Sequence, residues 1–173
     1  VYFATFAKSF AGIGGFVAGE KDIISYLRFN LRSQIYAKSL PMAMTLGAIK
    51  RLEMMKTHPQ LRENLWKITH ALQKGFRDAG FDLGRTESPV TPVFFKGGLA
   101  QTTNLIKDLR QNFGIFCSVV IYPVVPKGVI MLRIIPTAVH TMDDVNYTVE
   151  AFKEIKKKLE SNAYPNELAD FRN

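Results

Sequence analysis

The sequence has almost no cysteine and no long apolar run. Its single cysteine, Cys117, excludes an internal disulfide and is typical of a reducing compartment, so we expect a cytoplasmic location. Cys117 lies among apolar residues without a basic neighbour, which predicts a buried thiol rather than an activated thiolate. No run reaches the roughly 20 apolar residues that a membrane-spanning helix needs. Zinc-finger spacing and RNA-binding aromatic signatures are also absent.

The first residues carry neither an initiator methionine nor the features of a signal peptide. The stretch Val1–Phe6 lacks a basic region and a cleavage site, and it lies inside a predicted strand. We therefore expect the sequence to be the C-terminal portion of a longer protein.

Acidic residues are outnumbered, at 15 against 23 basic residues, which gives a net charge of +8. Such an excess attracts nucleic acid, an anionic membrane surface or a phosphorylated small molecule. The charges are dispersed, however, and the densest run, Lys156–Lys158, is flanked by Glu154 and Glu160 as on a solvated helix face. We therefore expect no nucleic-acid partner.

The length of 173 residues and the overall composition predict a globular protein of one domain or of one domain with an appendage.

The first third of the sequence predicts two strands followed by helices. Residues 1–6 and 14–19 have the composition of short strands, with Lys8 on the turn between them. Helices are then predicted over residues 20–30 and 41–56. The second helix has apolar residues at helical spacing, which predict a buried stripe made of Met42, Leu46, Ile49, Leu52 and Met55.

The rest of the sequence predicts a helix over residues 61–79 and then a small α+β domain of order β-α-β-β-α, with helices on one side of the sheet. The predicted elements are a strand at 92–96, a helix at 99–112, strands at 115–122 and 129–135, and a helix that begins after Thr141. The Thr141 hydroxyl is expected to cap that last helix. After Ser161 the composition predicts a loose tail.

Lys8 is the first candidate for chemistry. It lies between Phe6 and Phe10, and burial of this segment would favour the neutral amine that Schiff-base formation requires. Thr5, three residues earlier, offers a hydroxyl for an anion at the same place. The alternative interpretation is a surface lysine at the end of a strand.

Arg133 is the second candidate, because it is the only charged residue in the predicted strand Val129–Ile135. A guanidinium in an apolar strand needs an anionic partner, and a carboxylate fits it as a two-pronged fork. The alternative is an arginine at the end of an edge strand that pairs with a structural Asp or Glu.

The stretch Thr5–Phe10, followed by Gly14-Gly15-Phe16, resembles the pyridoxal-phosphate (PLP) lysine segment of the α-oxoamine synthases. These are fold-type I enzymes that condense an amino acid with an acyl-CoA, and the resemblance extends to about Leu159. It implies that Lys8 is the catalytic residue, which binds the cofactor as an internal aldimine, and that Thr5 binds the cofactor phosphate.

The resemblance also implies a domain organisation. Residues 1–56 would be the end of the PLP-binding large domain with the aldimine lysine and a linking helix. Residues 57–160 would form the small C-terminal α+β domain, and residues 161–173 the tail. No metal site is predicted.

The stretch Gln34–Pro41 resembles the family segment that crosses a dimer interface and contacts the phosphate bound in the partner subunit. This implies a homodimer, with Ala37 and Lys38 at the cofactor; Ala37 can offer only its backbone N–H. The alternative is an ordinary loop. For Arg133, the family implies binding of the amino-acid carboxylate.

Within the family, Ser118–Pro123 and Ile130–Thr141 look most similar to the bacterial serine palmitoyltransferases of sphingolipid biosynthesis. This implies decarboxylative condensation of L-serine with palmitoyl-CoA, with glycine C-acetyltransferase and 8-amino-7-oxononanoate synthase as rival activities. A long-chain product leaves peripheral membrane association open. The alternative of another class is an inactive packing or dimerisation domain, and we expect no turnover from these residues alone.

Overall fold

The computed structural model describes residues 1–170, which form two compact units. The first unit is Val1–Pro59, and the second takes in the chain from Gln60 onward. The chain has a mixed α/β composition in the predicted order of strands and helices, which confirms the predicted fold class.

The first unit contains a β-hairpin and three helices. Strands β1 (Tyr2–Thr5) and β2 (Gly15–Ala18) pair antiparallel, with Thr5 opposite Gly15. A side chain at position 15 would place its Cβ 2.6 Å from the carbonyl oxygen of Ala4, so the close approach of the strands requires glycine. The helices are α1 (Lys21–Asn30), α2 (Arg32–Ile35) and α3 (Met42–Thr57).

The predicted burial of the α3 stripe is wrong for the described residues. All of its side chains are exposed, from 44% for Leu52 to 72% for Met42. Helical spacing identifies an apolar face but does not tell what covers it. The helix itself is present as predicted.

The second unit is built on a three-stranded antiparallel sheet in the order β3-β5-β4. Its strands are β3 (Thr91–Lys96), β4 (Ser118–Val120) and β5 (Val129–Ile134). Its helices are α4 (Pro59–Asp78), α5 (Leu99–Gln111) and α6 (Met142–Glu160). Strand β5 is therefore the central strand, paired on both sides.

The core lies on one face of this sheet. Alternate residues of β3 and β5 are buried there, and the apolar faces of α4, α5 and α6 pack against them. Phe152 of α6 is completely buried, with its ring centroid 4.9 Å from that of Phe76 and 6.4 Å from that of Phe95. The intervening residues of β5, including Arg133, point to the opposite face. The helices thus cover one side of the sheet, as predicted.

Helix α6 begins at the predicted cap. The Thr141 hydroxyl accepts from the Asp144 N–H at 3.2 Å, and the Asp144 carboxylate accepts from the Thr141 N–H at 2.7 Å. Hydrogen bonds from the N–H and from the hydroxyl of Thr141 to the carboxylate hold the pKa of Asp144 below its ordinary value.

Strand β4 is shorter than predicted because the end of α5 occupies the preceding backbone. Gly114 has a φ of +65°, and the Ile115 N–H donates back to the Leu109 carbonyl at 2.9 Å, so the backbone here closes on α5. Ladder pairing consequently starts only at Ser118.

The tail after Ser161 is not loose, contrary to the prediction. Tyr164 is only 9% exposed, and its hydroxyl donates to Asp108 at 2.8 Å. Residues 164–170, which we call the C-terminal strap, also bond to α5: the Asn104 side chain donates to the Glu167 carbonyl at 2.8 Å, and the Ala169 N–H donates to the Thr103 hydroxyl at 3.0 Å. The strap is therefore fixed to α5.

The buried carboxylate of Asp108 on α5 bonds to both α6 and the strap, through Lys158 and Tyr164. Burial alone raises the pKa of Asp108, but hydrogen bonds from Asn112, Lys158 and Tyr164 outweigh it and leave the pKa below its ordinary value. Burial, together with the hydrogen bond to Asp108, raises the pKa of Tyr164. The hydrogen bond to Asp108 likewise raises the pKa of Lys158.

We expect Tyr164→Phe in the full-length protein to lower the free energy of unfolding by about 1–3 kcal/mol at neutral pH, because it removes a donor from a buried carboxylate. A folded pKa below the unfolded one gives Asp108 a stabilisation that is present above the unfolded value and lost as pH falls through the folded value. The loss should therefore shrink as denaturant titrations are moved to acidic pH. Tyr147→Phe is the matched control, since that hydroxyl donates to the Phe113 carbonyl from an exposed position. Equal, pH-independent losses for the two variants would contradict the prediction.

Candidate functional site

Lys8 lies in the loop that joins β1 to β2, where the turn was predicted. Two backbone hydrogen bonds close this loop, from the Phe6 N–H to the Gly14 carbonyl at 2.9 Å and from the Gly12 N–H to the Phe6 carbonyl at 2.8 Å. A further turn is formed by the Ala11 N–H, which donates to the Lys8 carbonyl at 2.8 Å. The amine is thus carried by a backbone of defined conformation.

The Lys8 side chain is exposed, and no carboxylate of residues 1–170 forms an ion pair with it. The half-buried rings of Phe6 and Phe10 pack on each other at 5.3 Å and do not bury the lysine. The burial of the Lys8 amine that the sequence analysis considered is therefore not found within the described residues. What the hairpin does provide is an amine that is not committed to a structural ion pair.

Thr5 is the last residue of β1, at the same end of the hairpin. Its Oγ1 accepts from the Ala7 N–H at 3.3 Å, which leaves the hydroxyl proton available to donate to an anion. One rigid hairpin therefore presents an amine and a hydroxyl donor three residues apart. This donor set fits a ligand that carries both a carbonyl group and a phosphate.

Ala37 and Lys38 lie in the connection between α2 and α3, and both are exposed. The Ala37 N–H, expected to face a phosphate, donates to the Gln34 carbonyl at 3.3 Å, so a ligand would have to replace this long bond. The connection passes beside the hairpin, since a Cβ on Gly14 would lie 2.8 Å from the Leu40 side chain. The first unit thus contains four of the five predicted site residues: Thr5, Lys8, Ala37 and Lys38.

Arg133, the fifth site residue, lies in the second unit on the central strand β5. Its side chain is exposed on the face of the sheet opposite the core, and its Nε donates to the Ser118 hydroxyl at 3.0 Å. No carboxylate of residues 1–170 pairs with it. The alternative of an edge-strand arginine paired with a structural acid is therefore wrong, and the guanidinium can bind an external anion.

Sequence reasoning did not single out Ser118 as a partner of Arg133. The two residues are neighbours only because β4 pairs with β5 in a register that sets Ser118 opposite Arg133. The polar serine at the start of an apolar strand was the available signal, but register is not visible from either strand alone.

Two other polar groups, Cys117 and His140, lie outside the predicted site residues and have structural surroundings. Burial raises the pKa of the Cys117 thiol to about 11, which confirms that it is not an activated thiolate. His140 accepts the Thr137 N–H on its Nδ1 at 2.8 Å, a local contact at the start of α6. In residues 1–170, no helix has the length and apolar character to cross a membrane.

Residues 1–152 match the aminotransferase class I and II family, and the chain belongs to this family. It is 54% identical over 164 residues to a cysteate-C-fatty acyltransferase of Capnocytophaga ochracea, covering 95% of this chain and 39% of that protein. It is 38% identical over 156 residues to a serine palmitoyltransferase of Sphingobacterium spiritivorum, covering 90% and 39%. An 8-amino-7-oxononanoate synthase of Petrotoga mobilis is 32% identical over 155 residues, with the same coverage.

Solved structures show the same fold. The serine palmitoyltransferase of Sphingomonas wittichii superposes with a TM-score of 0.82 at 25% identity, covering 94% of this chain and 40% of that one. A serine palmitoyltransferase structure with a PLP internal aldimine gives 0.82 at 26% identity, covering 91% and 40%. The predicted fold-type I fold and the predicted family relationship are confirmed. The chain spans about two fifths of the length of the curated relatives it matches.

Proposed function

We propose that this chain is part of a PLP-dependent acyltransferase that joins an amino acid to a fatty acyl-CoA and releases carbon dioxide and CoA. The observation that supports it is the hairpin with Thr5 and Lys8, in a chain 54% identical to a cysteate-C-fatty acyltransferase. The hairpin carries the amine and the hydroxyl that this cofactor requires, on one defined turn.

In this proposal the Lys8 amine holds PLP covalently, and the Thr5 hydroxyl donates to its phosphate. Bound PLP supplies an electron sink for negative charge at the substrate Cα. The Lys8 amine, when free, would be the group that moves the proton at that carbon. Lys38 and the backbone of Ala37 contact the phosphate bound in the partner subunit, so the whole enzyme is a homodimer. We also propose that the enzyme is cytoplasmic and that its long-chain product brings it into peripheral contact with a membrane.

Arg133 binds the amino-acid carboxylate. Its guanidinium faces away from the core and lacks a carboxylate partner in residues 1–170, while two-pronged binding of a carboxylate fixes both position and orientation. Two-pronged binding of this kind holds the substrate in one orientation.

For the amino acid we propose cysteate, on the strength of the 54% identity. Cysteate differs from serine in its sulfonate, which adds a negative charge that serine lacks. L-Serine with palmitoyl-CoA is the second candidate, favoured by the segments Ser118–Pro123 and Ile130–Thr141 and by the 38% identity to a serine palmitoyltransferase.

The test uses the full-length enzyme with palmitoyl-CoA and, in turn, cysteate, serine, glycine and alanine, followed by release of free CoA thiol. Turnover with cysteate alone supports the first candidate, and turnover with serine alone supports the second. Turnover only with glycine or alanine would replace both candidates by one of the rival synthases. No thiol release with any pair would overturn the proposed reaction.

We expect Arg133→Ala in the full-length enzyme to raise the amino-acid dissociation constant roughly 10- to 100-fold, since charge-assisted hydrogen bonds are worth about 1.5–3 kcal/mol. The KM for acyl-CoA should change little. Isothermal titration with the amino acid measures the first quantity and steady-state kinetics the second. Arg110→Ala is the control, because Arg110 belongs to α5 and not to the sheet, and its guanidinium lies over the Phe116 ring at 5.5 Å. Unaltered amino-acid binding in Arg133→Ala would restrict Arg133 to a structural role.

A further inference from the structure

We propose that Ser118 is a positioning residue for Arg133, which fixes the Nε edge of the guanidinium so that both Nη groups face the amino-acid carboxylate. The inference rests on the proposed function of Arg133 as the carboxylate-binding residue. It adds that the hydrogen bond from Arg133 Nε on β5 to the Ser118 hydroxyl on β4 sets the direction from which the carboxylate is bound.

The register of the sheet makes Ser118 the available partner. Arg133 is opposite Ser118 on β4 and opposite Pro92 on β3. The proline side chain has no hydrogen-bonding atom, so only Ser118 can fix the guanidinium through a cross-strand side-chain bond. The bond is made, at 3.0 Å from Nε to Oγ, and Ser118 itself is half-buried.

The geometry determines which guanidinium donors remain. Arginine has five N–H donors in a fixed fork, and the Ser118 hydroxyl accepts from the one on Nε. Within residues 1–170, the Arg133 side chain donates one hydrogen bond, from Nε to the Ser118 hydroxyl. Both Nη groups therefore stay available to bind a ligand. A carboxylate can therefore be bound end-on by the two Nη groups, and the side-on approach through Nε is already taken.

Fixing the guanidinium before substrate arrives lowers the ordering cost of binding. An exposed arginine has many rotamers, and the entropy lost when they are restricted opposes binding. A hydrogen bond formed in the free enzyme removes part of that loss. The contribution of Ser118 should therefore appear in the binding of ligands that carry a carboxylate.

The experiment measures dissociation constants in the full-length enzyme loaded with its cofactor, by isothermal titration. The two probes are the amino-acid substrate and the corresponding amine without its carboxylate: taurine for cysteate, or ethanolamine for serine. Ser118→Ala should weaken amino-acid binding about 3- to 10-fold, the equivalent of one hydrogen bond, and leave the amine unchanged. Ser118→Thr keeps the hydroxyl and suits a strand, so it should restore near-normal amino-acid binding.

A double-mutant cycle separates positioning from general structure. In an Arg133→Ala background, Ser118→Ala should change amino-acid binding by less than about twofold, because the group it positions is absent. Ser88→Ala is the matched control: its hydroxyl donates to the Val90 carbonyl in the same unit, and its loss should leave both dissociation constants unchanged.

Several results would overturn the inference. Equal weakening of amino acid and amine by Ser118→Ala, or an undiminished effect in the Arg133→Ala background, would assign Ser118 to local stability. A Ser118→Ala variant that binds the amino acid normally, while Arg133→Ala does not, would remove Ser118 and keep the proposed role of Arg133. Normal amino-acid binding by Arg133→Ala itself would overturn that role and the inference together.

Discussion

Replacing Lys8 with alanine in the full-length enzyme is expected to abolish acyl transfer, by at least roughly a thousandfold, and to remove the visible absorbance of lysine-bound PLP. Lys8 carries the side-chain amine of the hairpin, residues 2–18, that can form an imine with a carbonyl, and residues that form covalent links carry effects of this size. The absorbance spectrum reports the link directly, and thiol release from acyl-CoA reports turnover.

Two companion variants make the Lys8 result specific. Lys8→Arg keeps the positive charge but cannot form the imine under ordinary conditions, so it should fail in the same way as alanine. Lys21→Ala changes an exposed lysine at the start of α1 and should retain both absorbance and activity. An unchanged spectrum in Lys8→Ala would leave only the surface-lysine interpretation.

The largest expected effect on stability is that of Phe152→Ala. The ring is completely buried and lies within aromatic contact distance of Phe76, Phe81 and Phe95, so it joins α6 to α4 and to the sheet. Removing a buried phenylalanine leaves a cavity and typically costs about 3–5 kcal/mol. Denaturant unfolding of the full-length protein, with hydrogen exchange along α6, measures the loss.

Phe116→Ala is the control for that experiment. Its ring is 82% exposed and, within residues 1–170, lies under the Arg110 guanidinium, so we expect a loss of at most about 1 kcal/mol. Similar losses for the two variants would mean that the aromatic cluster around Phe152 does not carry the stability of the second unit.

Local signals in the sequence predicted most of the fold correctly. The Thr141 cap and the alternating strand 129–135 depend on residues close together in the chain, and both are present. The same holds for the turn that carries Lys8, which is set by the flanking strand and glycines.

Two of the errors concern contacts between distant segments. The strap was expected to be loose because its composition is that of a turn, yet Tyr164 anchors it to Asp108 and further hydrogen bonds join it to α5. The stripe of α3 was expected to be buried because its apolar residues have helical spacing. That spacing identifies a face of the helix but does not tell what covers it, and the side chains are exposed. The shortening of strand β4 is a local effect, because the Ile115 N–H after Gly114 bonds back to the Leu109 carbonyl.

The candidate site was predictable to a similar degree. Lys8 and Thr5 belong to one local motif, so their joint position on the hairpin followed from the sequence. For Arg133 the sequence left an edge strand open, and only the strand order decided that β5 is central. Its Ser118 partner required the register as well, since one residue of slip would place a different side chain opposite.

The Asp108–Tyr164 bond also has a consequence for synthesis on the ribosome. The two residues are 56 positions apart, so helix α5 is complete long before the phenol that satisfies its carboxylate has been made. At about 5–20 residues per second, the carboxylate waits roughly 3–11 seconds for this partner. During that interval the nascent second unit holds an exposed acidic group where the finished unit has a buried one, and docking of the strap is among its last folding events.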